Sequence, residues 1–155
     1  MGRQPIWVND FGTRQAQKAW ASATTPDTGA DRDGDGRGGR INLVNAERSV
    51  WGVEKVMAPR GRTLENIFVE WDVYRATPNG ADWMIELSPT GKFSGEQLKR
   101  NTPPGVGRVS LTLDAESDAR FRKINTVYVR LSGANGVVDW SAQAGPVRLL
   151  ASLAP

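Results

Sequence analysis

Period-two alternation of apolar and polar side chains runs through the chain from residue 41 onward, the signature of strands with one buried face. Between Leu64 and Tyr74, the residues Ile67, Val69, Trp71 and Val73 share one face, and Phe68, Glu70, Asp72 and Tyr74 share the other. Trp83, Ile85 and Leu87 alternate with Met84, Glu86 and Ser88. Val109, Leu111 and Leu113 alternate with Ser110 and Thr112, and Val127, Val129 and Leu131 with Thr126, Tyr128 and Arg130. Near the end, Val147, Leu149, Ala151 and Leu153 alternate with Arg148, Leu150 and Ser152. Less regular strand candidates are Ile41–Asn45, Ser49–Met57 and Val137–Gln143. The apolar phase names a core: Ile67, Val69, Trp71, Val73, Trp83, Ile85, Leu87, Val109, Leu111, Leu113, Val127, Val129, Leu131, Val147 and Leu149. A one-residue slip would expose a whole strand's set, so these assignments stand or fall together.

Turn chemistry separates the segments: Pro59-Arg60-Gly61, Thr77-Pro78-Asn79-Gly80, Pro89-Thr90-Gly91, Thr102-Pro103-Pro104-Gly105 and Ser132-Gly133-Ala134-Asn135-Gly136. Glycine and asparagine supply positive φ, and proline a fixed one. Two short helices are predicted, over Thr13–Ala21 and over Asp114–Lys123, the latter opening on an Asp-Ala-Glu-Ser cap. Many short strands with little helix predict an all-β protein, a sandwich or a barrel, and an antiparallel sandwich is the fold expected. The first 40 residues differ. Residues 27–40 are rich in Gly and Asp, unsuited to a strand or helix interior. The expected organisation is a loose N-terminal arm over 1–40 and a sandwich over 41–155.

Composition narrows the chemistry. The 155 residues contain no cysteine and no histidine. Disulfides, thiolate metal sites, Ser-His-Asp triads and histidine-based metal hydrolysis are therefore excluded. The net charge is +3, with 15 arginines against 5 lysines and no long basic run. Nothing resembles a nucleotide loop or a known nucleic-acid fold, so no nucleic-acid partner is expected. No window approaches the ~20 apolar residues of a membrane-spanning helix, so no membrane partner is expected. The N-terminal MGRQPIWVNDFG lacks the apolar stretch of a secretory signal. A virion or an extracellular surface is the expected location.

The stretches VEWDVYRA, GADWMIELSPTGKF, FRKINTVYVRLSG and DWSAQAGPVRLLASL together resemble a jelly-roll sandwich of the galactose-binding-like and carbohydrate-binding-module type. In such modules the final strand often approaches the edge as Gly-Pro-x-Arg-Leu, here Gly145 to Leu149. The resemblance covers roughly the C-terminal half and implies a fold. It transfers no ligand-binding residue.

Several constellations carry candidate chemistry. Asp31, Asp33 and Asp35, followed by Gly36, resemble the opening of a calcium loop, in which alternate carboxylates converge on a hard cation. Asn42 stands where an EF-hand would supply its bidentate Glu, and Arg32, Arg37 and Arg40 oppose a cation. A solvated acidic turn is the other reading. Glu70 and Asp72 lie about 6.5–7 Å apart on one strand face, the best carboxylate pair available. Alternating acids on a solvent face are ordinary, and no catalysis is expected from them. Trp7, Phe11 and Trp20 are apolar anchors on the polar arm, suited to packing on the sandwich or on another chain. Trp140, beside a Gly-rich turn, suits a sugar platform, a core position or a subunit interface. Basic clusters at Lys99-Arg100 and at Arg120, Arg122 and Lys123 are read as solvated loops, the other readings being contact with nucleic acid, an anionic glycan or an acidic neighbouring subunit.

Two functions follow as expectations. The first is a non-enzymatic subunit acting through protein–protein contacts in an oligomeric assembly, such as a bacteriophage decoration, fibre or tail protein. The alternative is a carbohydrate-binding module for glycans, stabilised by calcium.

Overall fold

The computed structural model describes residues 2–9, 11, 41–46, 48–78, 80–93, 97–101 and 109–155. Among these lie nine strands: β1 (Gln4–Asn9), β2 (Ile41–Ala46), β3 (Ser49–Met57), β4 (Thr63–Thr77), β5 (Asp82–Ser88), β6 (Gln97–Asn101), β7 (Val109–Asp114), β8 (Thr126–Ala134) and β9 (Trp140–Ala154). They form two antiparallel sheets. The five-stranded sheet runs β1-β9-β4-β7 with β2 also on β9, and the four-stranded sheet runs β3-β8-β5-β6. Strand β9 is paired along its length with β4. Its other edge is shared by β2, opposite Trp140 to Ala144, and β1, opposite Val147 to Ala151.

The alternating residues face inward between the sheets. Every member of the core set is buried except Val109, which packs against the cluster part-buried. At its centre Trp83 meets Trp71 edge-on at 5.4 Å and Trp140 at 5.9 Å between ring centroids. Edge-on contact matches the positive rim of one ring to the negative face of another. The buried Trp71 indole donates to the Gly145 carbonyl at 3.2 Å, so its polar atom is satisfied. Gly133 makes this cluster possible. A Cβ there would lie 2.5 Å from Cζ3 of Trp83, so the absence of a side chain leaves room for the indole. The sequence pattern places Gly133 in a turn. The structure places it inside β8, opposite Val50 and Trp83.

Of the other described turn glycines, Gly136 does not take a positive φ, and three do. Gly61, Gly80 and Gly91 have φ of 79°, 105° and 89°, the region that favours glycine.

Three further expectations are corrected. The sandwich does not start at residue 41, because β1 is an edge strand of it, tied down at its start by Arg3. That guanidinium donates to the Asn66 carbonyl at 2.8 Å and to Asp114 at 3.0 Å, and lies over the Phe68 ring at 5.0 Å. Second, Asp114–Lys123 is not a helix. The Ala115 amide continues the ladder by donating to the Ile67 carbonyl, and the Asp114 carboxylate takes the Glu116 amide in a local turn. Only Ala119–Phe121 makes a single 3-10 turn, capped by Asp118, and Phe121 is buried. Third, Lys99-Arg100 lies on a strand, β6, and not in a loop. The helix expected over Thr13–Ala21 lies outside the described residues.

Candidate functional site

On the outer face of the four-stranded sheet, the edge strand β3 presents Trp51, Val53, Lys55 and Met57 to solvent, while Val50, Gly52 and Val56 are buried. In β8, Tyr128, Arg130 and Ser132 share that outer face, and in β5 so do Met84, Glu86 and Ser88. Register sets the rows. Trp51 pairs with Ser132 and so with Met84; Val53 with Arg130 and so with Glu86; Lys55 with Tyr128 and so with Ser88.

Arg130 organises the face. Its Nε donates to Oε1 of Glu86 at 2.7 Å and its Nη2 reaches the same oxygen. The Glu86 side chain is only 5% exposed, so this charge is held by its partner and not by water. The guanidinium also lies over two rings, 4.8 Å from the Trp51 centroid and 4.6 Å from that of Phe93. Such stacking suits the flat, weakly hydrated guanidinium. Of its five N–H donors, those on Nη1 have no protein partner among the described residues. Trp51 is 38% exposed, and its Nε1 donates to Ser49 Oγ at 3.2 Å.

The turn after β5 supports this arrangement. The buried Ser88 hydroxyl accepts from the amides of Thr90 and Gly91 and donates to the Lys92 carbonyl at 2.7 Å. At the positive φ of Gly91 a Cβ would touch the Tyr128 ring at 3.4 Å. The turn therefore packs onto Tyr128 and delivers Phe93 to Arg130. A planar aromatic surface, one fixed cation with spare donors and a buried carboxylate are thus assembled on a rigid sheet. Such a surface can stack on a ring and hydrogen-bond its substituents.

On β3, Glu54 occupies an inward-facing position opposite Val129, part-buried. Burial pushes its carboxyl above the ordinary value.

The residues singled out by sequence fall elsewhere. Trp140 is not a platform: it is 1% exposed and packed on Trp83, because β9 begins there with Trp140, Ala142 and Ala144 all turned inward. Phe11 is fully buried in the same core, its amide held by Asn9 Oδ1 at 2.9 Å. Trp7 packs part-buried against that core, opposite Leu149. Phe11 and Trp7 thus anchor onto their own sandwich. Trp20, Asp31, Asp33 and Asp35 lie outside the described residues. Glu70 and Asp72 do not form an open pair, since Glu70 accepts from Arg148 at 2.6 Å and Asp72 is buried and accepts from Ser110 at 2.8 Å.

Sequence reasoning missed Trp51, Glu86, Phe93, Tyr128 and Arg130 as a group. The only signal for Trp51, Glu86, Tyr128 and Arg130 was the outward phase of three strands, which pairing alone brings together, and Phe93 lies in the turn after β5.

No family model matches the chain, and no curated protein matches it. Solved structures do. A carbohydrate-binding module described for specific mannan recognition, TmCBM27, superposes with TM-score 0.54 at 12% identity, covering 98% of this chain and 99% of that one. A module of Cellvibrio mixtus lichenase 5A in complex with cellotriose gives 0.51 at 12%, covering 94% and 97%. TmCBM61, in complex with β-1,4-galactotriose, gives 0.50 at 11%, covering 74% and 71%.

The fold is an antiparallel jelly-roll β-sandwich like that of these modules. At these identities the likeness concerns the fold alone. It agrees with the jelly-roll resemblance in the sequence.

Proposed function

We propose that this jelly roll is a non-catalytic carbohydrate-binding module that seats a polysaccharide on the outer face of its four-stranded sheet. The observation that carries this reading is the exposed Trp51 indole, fixed by Ser49 and by the Arg130 guanidinium that Glu86 and Phe93 hold in place. A sugar ring offers an apolar C–H face to an indole, and its hydroxyls suit the spare Arg130 donors. Tyr128 extends the surface along β8. The fold likeness to modules solved with oligosaccharides supports the reading.

The test is affinity electrophoresis of the whole chain through gels loaded with single polysaccharides, followed by titration calorimetry. Trp51→Ala is expected to weaken binding at least tenfold, about 1.4 kcal/mol, with an unchanged circular dichroism spectrum. Absence of retardation by every polysaccharide, or full affinity in Trp51→Ala, overturns the proposal.

The assembly reading draws on the same exposed stripe, since Val53 and Met57 are 48% and 60% exposed beside Trp51. Strand-edge docking is opposed by Pro5 on β1 and by the inward Glu54 on β3, both of which discourage edge pairing. A concentration-dependent oligomer in sedimentation, abolished by Trp51→Ala, is the result that favours assembly.

A further inference from the structure

Charge among the described residues is unevenly paired. Five described carboxylates are ion-paired: Asp114 and Glu116 with Arg3, Asp118 with Arg120, Glu86 with Arg130, Glu70 with Arg148. Arg60, Arg62, Arg122 and Lys123 are all exposed and have no ion pair among the described residues. The fold brings these four together. The turn holding Arg60 and Arg62 closes through the Arg62 amide on the Pro59 carbonyl at 3.0 Å. Its flanks are fixed to the segment after Lys123: the Ala58 amide donates to the Asn125 carbonyl at 2.8 Å, and the Leu64 amide to the Ile124 carbonyl at 2.6 Å.

This basic end adjoins the stacking face. Met57 and Thr126, the last and first residues of β3 and β8, pair beside it. One step further along the outer face stand Lys55 and Tyr128, also paired. Lys55 is exposed without an ion pair among the described residues, and so is Lys92 in the turn that packs on Tyr128. From Thr126 to Arg130 is about 13 Å of strand. Cations and rings therefore form one strip, from the turn at Arg60 to the indole of Trp51.

We infer that the ligand is an anionic linear polysaccharide, bearing carboxylate or sulfate groups. Its rings lie against Trp51, Phe93 and Tyr128, and its charges face Lys55, Lys92 and the Arg60–Arg62–Arg122–Lys123 cluster. This rests on the glycan-binding reading. Unpaired like charges repel one another, so a polyanion that neutralises them gains where a neutral chain does not. The interaction is solvent-exposed and screened by salt.

The test compares the whole chain with a variant carrying Arg60→Gln, Arg62→Gln, Arg122→Gln and Lys123→Asn. Asparagine is chosen at the last position because Lys123 has φ of 52°, which Asn tolerates. All four side chains are exposed, and matching circular dichroism and melting establish that the variant folds. The ligands are polygalacturonate and chondroitin sulfate as carboxylate and sulfate arms, neutral β-glucan, galactan and mannan, and single-stranded DNA. The expected result is binding to one or both anionic polysaccharides that falls at least tenfold in the charge variant. It should also fall at least tenfold between about 50 and 500 mM salt. Neutral polysaccharide bound with Trp51 dependence and undiminished in the charge variant overturns this inference and leaves the glycan-binding reading standing. No polysaccharide bound overturns both. DNA competing as well as the anionic glycans at equal charge overturns the inference, since the strip would then be a general polyanion surface.

Discussion

Replacing Gly133 by alanine tests whether the tryptophan cluster sets the spacing of the two sheets. A Cβ at residue 133 would stand 2.5 Å from Cζ3, 2.7 Å from Cε3 and 3.3 Å from Cη2 of Trp83. The indole cannot swing away cheaply, because it is 1% exposed and wedged against Trp71 and Trp140. Overpacking a well-filled core costs about 1–3 kcal/mol. Removing a glycine returns about 0.4–1 kcal/mol through the unfolded chain. The net expectation is a loss of about 1–2 kcal/mol, a melting temperature lower by about 2–8 °C for a domain of this size. Gly136→Ala is the control, because nothing lies within 4 Å of a Cβ there, and it should stay within about 0.5 kcal/mol of wild type. Urea denaturation followed by tryptophan fluorescence gives both values. A cycle with Trp83→Phe isolates the clash: the smaller ring should do less damage in the Gly133→Ala background than in the wild type, a coupling of about 1 kcal/mol or more. If Gly133→Ala is as stable as Gly136→Ala, or if the cycle is additive, the close approach does not limit the packing.

Arg130→Ala strands a Glu86 carboxylate that is 5% exposed and should cost about 3 kcal/mol in denaturant, whereas Arg130→Met with Glu86→Leu should recover most of that; equal losses in the two proteins would refute the pairing argument. Glu54→Gln should stabilise at neutral pH. The folded carboxyl is raised above its unfolded value by burial, so the wild type binds more protons folded than unfolded between those two values and loses stability as pH rises through them. The advantage of Gln should therefore fade as pH drops to the ordinary carboxylate range, and melting curves that show a pH-independent advantage would contradict it. If Asp31, Asp33 and Asp35 close on calcium, millimolar calcium raises the melting temperature relative to chelator and Asp33→Ala abolishes the rise; identical curves remove calcium from the account.

Strand phase was legible where apolar and polar side chains alternate without a break. In β4 the inner positions are Ile67, Val69, Trp71 and Val73 and the outer ones Glu70 and Asp72, so the alternation admits one reading. Strand β1 was not legible. Gln-Pro-Ile-Trp-Val-Asn has a proline and too few alternations, and it is a strand because β9 offers an unpaired edge and Arg3 holds its start. Asp114–Lys123 failed for a related reason. A capping pattern competes with whatever tertiary bond is on offer, and here the Ile67 carbonyl takes the Ala115 amide before a helix can begin.

The candidate site was hidden by a different cause. In β3 the inner row is Val50, Gly52, Glu54 and Val56, and the outer row is Trp51, Val53, Lys55 and Met57. The outer row is the more apolar of the two, so hydrophobicity alone would turn the strand over and bury Trp51. Pairing with β8 decides otherwise. Gly133 and Leu131 face the core, which forces Val50 and Gly52 inward beside them and leaves Trp51 and Val53 outside. Glu54 is then driven inward with its carboxyl part-buried, at a cost its raised pKa records. A strand that accepts a part-buried carboxylate and exposes an indole departs from the local pattern. The same register sets Arg130 beside Glu86, and the turn at Gly91 brings Phe93 to it. The site thus depends on one strand alignment, fixed from the far side of the sheet by the tryptophan cluster around Gly133.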